Sequence, residues 1–264
     1  METDTLNLPS NSIINPVTSS VSPTITSQKL NPDPEGVPRL LGNDLSEEIS
    51  LFLGELDAYP YGLWMLGGDD TVKGSDEGEI IRLNDGNDVV YGGGGNDQLY
   101  GGKQNDLEYG DAGDDILKGD IGDDSLDGGI GNDILRGGKG NDLILGNEGK
   151  DVLIGDRDRD TLTGGSNSDI FVLNSSDATF DVNESDIITD FDWFRDGDKI
   201  ALPNGLSAID IDLKQMINFD QIGGINDTVI KLKSTGGILG IVLNVDAFDL
   251  DRELIAAEPT LLGV

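Results

Sequence analysis

The chain has 264 residues, 38 of them Gly, with 51 Asp or Glu against 17 Lys or Arg and a net charge of −34. Such acidity repels nucleic acid and anionic membranes and attracts cations, so neither a nucleic-acid partner nor membrane insertion is expected. With no Cys and no His, disulfides, thiolate or imidazole metal centres, an HExxH protease and a Ser-His-Asp triad are excluded, which leaves oxygen ligands suited to calcium or magnesium.

In chain order, residues 1–40 are rich in Ser, Thr and Asn and carry Pro9, Pro16, Pro23, Pro32, Pro34 and Pro38. This composition predicts a disordered leader. The opening METDTLNLPS has no basic n-region and no apolar h-region, so export is expected to use no N-terminal signal peptide. No run of eighteen apolar residues occurs, and no membrane span is expected. In residues 41–64, Asn43 or Asp44 ahead of Leu45, Ile49, Phe52 and Leu53 predicts a short capped helix. With Tyr59, Tyr61 and Trp64 it reads as an N-terminal cap for the segment that follows.

From residue 65 the chain repeats every nine residues. GGIGNDILR (128–136) runs directly into GGKGNDLIL (137–145). With the Asp of GND as the sixth place, twelve units fill residues 65–172 without a gap. The sixth place is Asp70, Glu79, Asp88, Asp97, Asp106, Asp115, Asp124, Asp133, Asp142, Asp151, Asp160 and Asp169. The eighth is apolar in every unit but one, where Glu108 stands, and the first is Gly in ten of twelve. A linker of the same composition would not hold this phase, so an ordered solenoid is predicted. Places one to six, rich in Gly, Asn and Asp, are expected to turn, and places seven to nine to form a strand with the eighth side chain inward. Two units close one coil, so residues eighteen apart stack. Six coils at about 4.8 Å give a rod of roughly 29 Å.

Stacking lines up Asp97, Asp115, Asp133 and Asp151 along one edge and Asp88, Asp106, Asp124, Asp142 and Asp160 along the other. Carboxylates about 5 Å apart disfavour each other's charge. A hard dication between coils relieves this, taking two carboxylates and backbone carbonyls from the glycine-rich turns. Calcium fits such a shell better than magnesium, which demands rigid octahedral geometry. Up to about ten calcium ions are expected, with folding and metal binding one event.

GGGGNDQLY (92–100), GGIGNDILR (128–136) and GGKGNDLIL (137–145) resemble the GGxGxDxUx nonapeptide of RTX, or haemolysin-type, calcium-binding proteins. The resemblance implies a calcium-loaded parallel β-roll, export by type I secretion machinery without an N-terminal signal, and folding in external calcium. Some units depart from the pattern. Glu77 and Glu79 replace Gly and Asp, Gln104 replaces Gly, Glu108 enters the core column, and Arg157 and Arg159 enter a turn. Sites within 88–151 are therefore expected to be the best formed.

At the outward ninth place, Tyr91 and Tyr109 are expected to stack on one sheet and Tyr100 to lie on the other, most simply as sheet-stabilising contacts. Beyond Phe171, residues 186–191, 198–202, 227–233 and 238–245 read as strands of a β-rich C-terminal cap (173–250). Asp190, Asp192, Asp196 and Asp198 are a further possible ion site. Residues 251–264 read as a tail with a possible export signal.

The sequence thus predicts an all-β chain: a right-handed parallel β-roll (β-solenoid, 65–172) between an N-terminal cap (41–64) and a β-rich C-terminal cap, after a disordered leader. Its expected function is calcium binding by a secreted, extracellular, non-enzymatic module that is structural, adhesive or calcium-buffering. Extracellular polysaccharide or a cell surface is a candidate partner. The alternatives are a carbohydrate-active enzyme with catalytic carboxylates in the C-terminal region, such as Asp186 and Asp190, or halophilic acidity with no specific metal.

Overall fold

The structure is a computed structural model and describes residues 24–26, 31–37, 39–174, 178–202, 206–216, 227–245, 247–250 and 254–256. From residue 63 to residue 172 a strand begins every nine residues or so, and successive strands fall alternately into two parallel sheets. Sheet I contains Thr71–Lys73, Val89–Gly94, Leu107–Ala112, Ser125–Ile130, Leu143–Glu148 and Thr161–Ser166. Sheet II contains Leu63–Trp64, Ile80–Asp85, Gln98–Lys103, Ile116–Ile121, Ile134–Lys139, Val152–Arg157 and Ile170–Val172. Pairing runs at the expected spacing of eighteen: Leu99 against Leu117, Leu117 against Leu135, Leu135 against Leu153. The fold is the expected all-β parallel solenoid of about six regular coils.

The strands are longer than the sequence suggested. Each full strand has six residues, places seven to nine of one unit and one to three of the next, with inward positions at the eighth place and at the following glycine. A glycine that faces inward lets the strand run on past it. The turn is left with places four to six and is tightened by positive φ at the second and fourth places, as at Gly129 (φ 97) and Gly131 (φ 148). Asn147 (φ 74) and Asp158 (φ 76) hold equivalent positions, because their short side chains tolerate this region. The eighth-place side chains, Val72 through Phe171, are buried and, Glu108 apart, belong to one apolar core with Leu40 and Ile49 at one end and Leu250 at the other. One aliphatic side chain per nine residues is a thin core.

The ends differ from expectation. No helix forms in 41–64. Residues 42–50, GNDLSEEIS, are a degenerate unit with Glu47 at the sixth place and Ile49 at the eighth. Glu48–Ser50 pairs with Thr71–Lys73, and Ile49 enters the core while Leu45, Phe52 and Leu53 stay exposed. Pairing in a waiting sheet edge overrides a weak local helix signal. The cap is therefore an irregular first coil. The predicted leader lies largely outside the described residues. Of it, Thr24–Thr26 pairs in parallel with Glu48–Ser50, and Asn31–Pro32 pairs antiparallel with Leu40–Leu41.

At the other end Asp186–Ile188 and Lys199–Leu202 extend the two sheets as two further coil edges. Ile211–Met216, Asp227–Leu232 and Ile238–Val242 then close sheet I as an antiparallel meander. Covering the last parallel strand in this way blunts an edge open to further pairing. Within the expected tail, Leu254–Ala256 pairs with Ile200–Leu202, so those residues belong to sheet II. Residues 257–264, where an export signal was expected, lie outside the described residues.

Candidate metal centre

The inward alternation that buries the eighth place also buries the sixth. Each sixth-place aspartate divides its two oxygens between two tasks. Oδ1 accepts the backbone N–H of the sixth-place residue one coil earlier: Asp97 N–H to Asp115 at 2.7 Å, Asp115 N–H to Asp133 at 2.8 Å, Asp133 N–H to Asp151 at 2.8 Å, Asp151 N–H to Asp169 at 2.9 Å. The other edge repeats this from Asp88 to Asp106, Asp124, Asp142 and Asp160 at 2.9 Å each. Oδ2 is buried and receives no hydrogen bond in Asp70, Asp88, Asp97, Asp106, Asp115, Asp124, Asp133, Asp142, Asp151, Asp160 and Asp169.

These rows outrun the nonapeptide. Glu47 donates its N–H to Asp70, Asp160 to Asp186 and Asp169 to Asp198. The chain separations there are 23, 26 and 29 residues, so insertions hide the register from the sequence while the fold keeps it. Glu47, Asp186 and Asp198 were missed as row members for this reason.

The first-place glycine faces the unpaired oxygen. A Cβ on Gly110 would lie 2.5 Å from Asp115 Oδ2 and 2.5 Å from the carbonyl oxygen of Gly128. For Gly128 the distances are 2.5 Å to Asp133 Oδ2 and 3.0 Å to the Gly146 carbonyl, and for Gly146 they are 2.4 Å to Asp151 Oδ2 and 2.5 Å to the Gly164 carbonyl. An unpaired carboxylate oxygen and a backbone carbonyl thus converge on a space that only glycine leaves open. Two acceptors with no donor between them suit a hard cation. Among the described residues no three acidic side chains gather as a metal cluster, so backbone oxygens must complete any shell.

Not every unit has this cradle. Asp70 and Asp88 keep the orphan oxygen, but their first places hold Met65 and Leu83, both fully buried. Glu79 has no orphan oxygen, because the backbone N–H and hydroxyl of Ser75 both donate to it. The cradles in which a carbonyl joins the orphan oxygen lie at Gly92, Gly101, Gly110, Gly128 and Gly146, with Asp97, Asp106, Asp115, Asp133 and Asp151. Asp198 accepts the N–H of Asp169 and of Asp192, Asp190 those of Gly164 and Gly165, and Asp192 those of Phe194 and Arg195. These contacts pin the loops, and among the described residues no three acidic side chains gather here as a metal cluster.

Burial, opposed only in part by the Oδ1 hydrogen bond, holds the sixth-place carboxyls far above the usual carboxylate range. Asp115, Asp124 and Asp151 rise to about 6, Asp97, Asp133, Asp142 and Asp169 to about 7, Asp106 to about 8 and Asp160 to about 9. The exposed fifth places behave oppositely. Asp114 accepts the N–H and side-chain amide of Asn132, which lower its pKa. Asn96, Asn105, Asp123 and Asn132 each likewise accept a backbone N–H from the next coil. This outer ladder also went unread in the sequence, although the ND pair recurs in it.

The two outer faces differ in charge. The repeat strands of sheet I carry Lys73 alone, whereas those of sheet II carry Arg82, Lys103, Lys118, Arg136, Lys139 and Arg157. Aromatic rings order part of this strip. Arg39 and Arg82 lie 4.1 and 5.2 Å from the Trp64 ring centre, and Arg82 and Lys118 lie 4.4 and 5.7 Å from that of Tyr100. Burial, then the nearby Arg136, lowers the pKa of Lys118. On sheet I, Tyr91 and Tyr109 stack at 4.9 Å and 7° as expected.

Residues 73–108, 109–144 and 145–177 match the sequence profile of the RTX calcium-binding nonapeptide repeat (4 copies). No curated protein matches the chain. Among solved structures the chain is similar to the solution structure of the AlgE6R3 subunit from the Azotobacter vinelandii mannuronan C5-epimerase, with 20% identity over 82% of this chain and 81% of that one and a TM-score of 0.22. With a matching profile, an unbroken nine-residue phase and a carboxylate-and-carbonyl cradle in successive coils, residues 73–177 are an array of RTX calcium-binding nonapeptide repeats.

Proposed function

We propose that the chain is a secreted, extracellular calcium-binding module whose roll completes its folding when calcium enters the cradles between coils. The observation that carries this reading is the buried, unpartnered Oδ2 of each sixth-place aspartate, which at Asp97, Asp106, Asp115, Asp133 and Asp151 faces a backbone carbonyl of the next coil. Asp97, Asp106, Asp115, Asp124, Asp133, Asp142, Asp151, Asp160 and Asp169 are the ligands assigned, with the first-place glycine carbonyls beside them. Bound calcium supplies the positive charge these oxygens lack. Type I secretion machinery is the export partner that fits a chain of this family and composition. Circular dichroism in a chelator, titrated separately with calcium, magnesium and sodium, tests the reading. A cooperative gain of β-structure with calcium alone is expected. Equal folding by sodium would leave surface acidity as the explanation.

No catalytic role is assigned. Asp186 and Asp190, the pair considered for a glycan-active site, are both committed to backbone amides of the last coils.

A second reading concerns adhesion. In a chain of net charge −34, the cationic strip on sheet II, braced by Trp64 and Tyr100, fits a linear anionic polysaccharide laid along the roll. The calcium-loaded chain should be retained on a uronate-rich polymer and released by salt. Arg82→Ala with Lys118→Ala should weaken binding about tenfold, about 1.4 kcal/mol. Equal retention on a neutral glucan would sink the idea.

A further inference from the structure

Glu108 breaks the aliphatic column. It stands at an eighth place, between Val90 and Leu126 on sheet I. It is completely buried, and neither carboxyl oxygen has a hydrogen-bond partner. The backbone amide of Lys118 tempers the raised pKa of this carboxyl without meeting hydrogen-bond geometry. Where the same column elsewhere holds an apolar side chain, an unpaired acid costs several kcal/mol if charged, by order of magnitude. Protonation alone would leave a new O–H with no acceptor.

The side chain is aimed at a cradle. A Cβ on Gly101 would lie 2.5 Å from Asp106 Oδ2, 2.7 Å from Glu108 Oε1 and 3.0 Å from the carbonyl oxygen of Gly119. Three oxygens, two of them buried and unpartnered carboxylate atoms, converge on one point beside the glycine. At the other first-place glycines where an orphan oxygen meets a carbonyl, the carboxylate comes from the sixth place alone: Gly92, Gly110, Gly128 and Gly146 meet Asp97, Asp115, Asp133 and Asp151, with no second acid among the nearest atoms.

Resting on the calcium reading above, we infer that Glu108 is an additional ligand from inside the core, and that the cradle of Gly101, Asp106, Glu108 and the Gly119 carbonyl is a dicarboxylate calcium site distinct from the others in the array. A second carboxylate raises the ligand charge, which is a main lever on calcium affinity. This site therefore fills first in a titration. The nonapeptide gives no reason for an acid at the eighth place. The convergence of oxygens at Gly101 gives one.

Calcium titration of the full chain, with bound ions counted by native mass spectrometry and the tightest site followed by terbium luminescence, tests this. Glu108→Leu restores the side chain type of the neighbouring coils, and Glu108→Gln keeps the shape while removing the charge. Both variants should lose the tightest site, weakening it about tenfold or more, while the remaining sites keep their midpoint. If Glu108→Leu does not fold, the Glu108→Gln titration still decides the point. Unchanged stoichiometry and first-site affinity in either folded variant would overturn the assignment and make Glu108 a neutral buried acid. A wild-type chain that binds no calcium would overturn the proposed function as well, so the two failures are told apart by the wild type.

Discussion

In a chelator, the array is expected to gain β-structure as the pH is lowered from about 8 to about 4. The sixth-place aspartates titrate between about 6 and about 9 when folded, against an ordinary value of 3.8. A folded pKa above the unfolded one means that the folded state holds more protons. The stability these groups allow is therefore fully present below about 4, and is lost as pH rises through their folded values. Protons then do at low pH what calcium does at neutral pH: they remove charge that the buried Oδ2 cannot share. Calcium should accordingly bind with proton release, and its midpoint concentration should fall as pH rises. Circular dichroism against pH in EDTA, repeated at fixed calcium, checks both statements. A metal-free chain that is folded at pH 8 and loses structure on acidification would contradict them.

The second large effect is expected from a change that touches no carboxylate. Gly128→Ala places a methyl 2.5 Å from Asp133 Oδ2 and 3.0 Å from the Gly146 carbonyl, in the space assigned to the ion. Gly128 is not among the positive-φ glycines, so the backbone itself tolerates alanine there. The variant should bind one calcium ion fewer and need a higher calcium concentration to fold. The filled site should lose at least about tenfold in affinity, about 1.4 kcal/mol. Asp133→Asn makes a matched comparison: the side-chain carbonyl still accepts the Asp115 N–H, while the charged oxygen is gone. Gly131→Ala is the control for strain, since φ is +148° and its methyl would lie 1.6 Å from the Gly113 carbonyl, so it should unfold the coil whatever the calcium level. Full calcium stoichiometry in Gly128→Ala would mean that the ions sit elsewhere.

The sequence made the middle of the molecule legible and obscured its ends. An unbroken phase fixes which residues stack, so the pairing of Leu117 with Leu135 and the alignment of the sixth-place row could be read by counting. At the ends, the coils of 23, 26 and 29 residues break the count, and Glu47, Asp186 and Asp198 looked like ordinary loop acids. The helix expected after Asn43 came from a capping signal on a segment whose Gly42, Glu47 and Ile49 obey the repeat. The division of labour between Oδ1 and Oδ2 was not legible at all. It depends on which amide each oxygen meets one coil away, and composition carries no trace of that. The cationic face of sheet II was present in the sequence as lysines and arginines at the ninth place of even units and the third place of odd ones, visible only once each strand is seen to span two units.

The Oδ1 ladder has a direction. In every coil the amide belongs to the earlier residue and the carboxylate that closes it to the later one. Cutting the array short at any coil would strand the amides of the last one, whereas trimming it from the front strands only side chains that water can serve. The roll therefore has a polarity, like a zip whose stop sits at one end: Asp186 and Asp198 are that stop. Ordering that starts from the C-terminal coils meets each new coil with its acceptors already in place, so assembly should ratchet from the C-terminus toward the N-terminus.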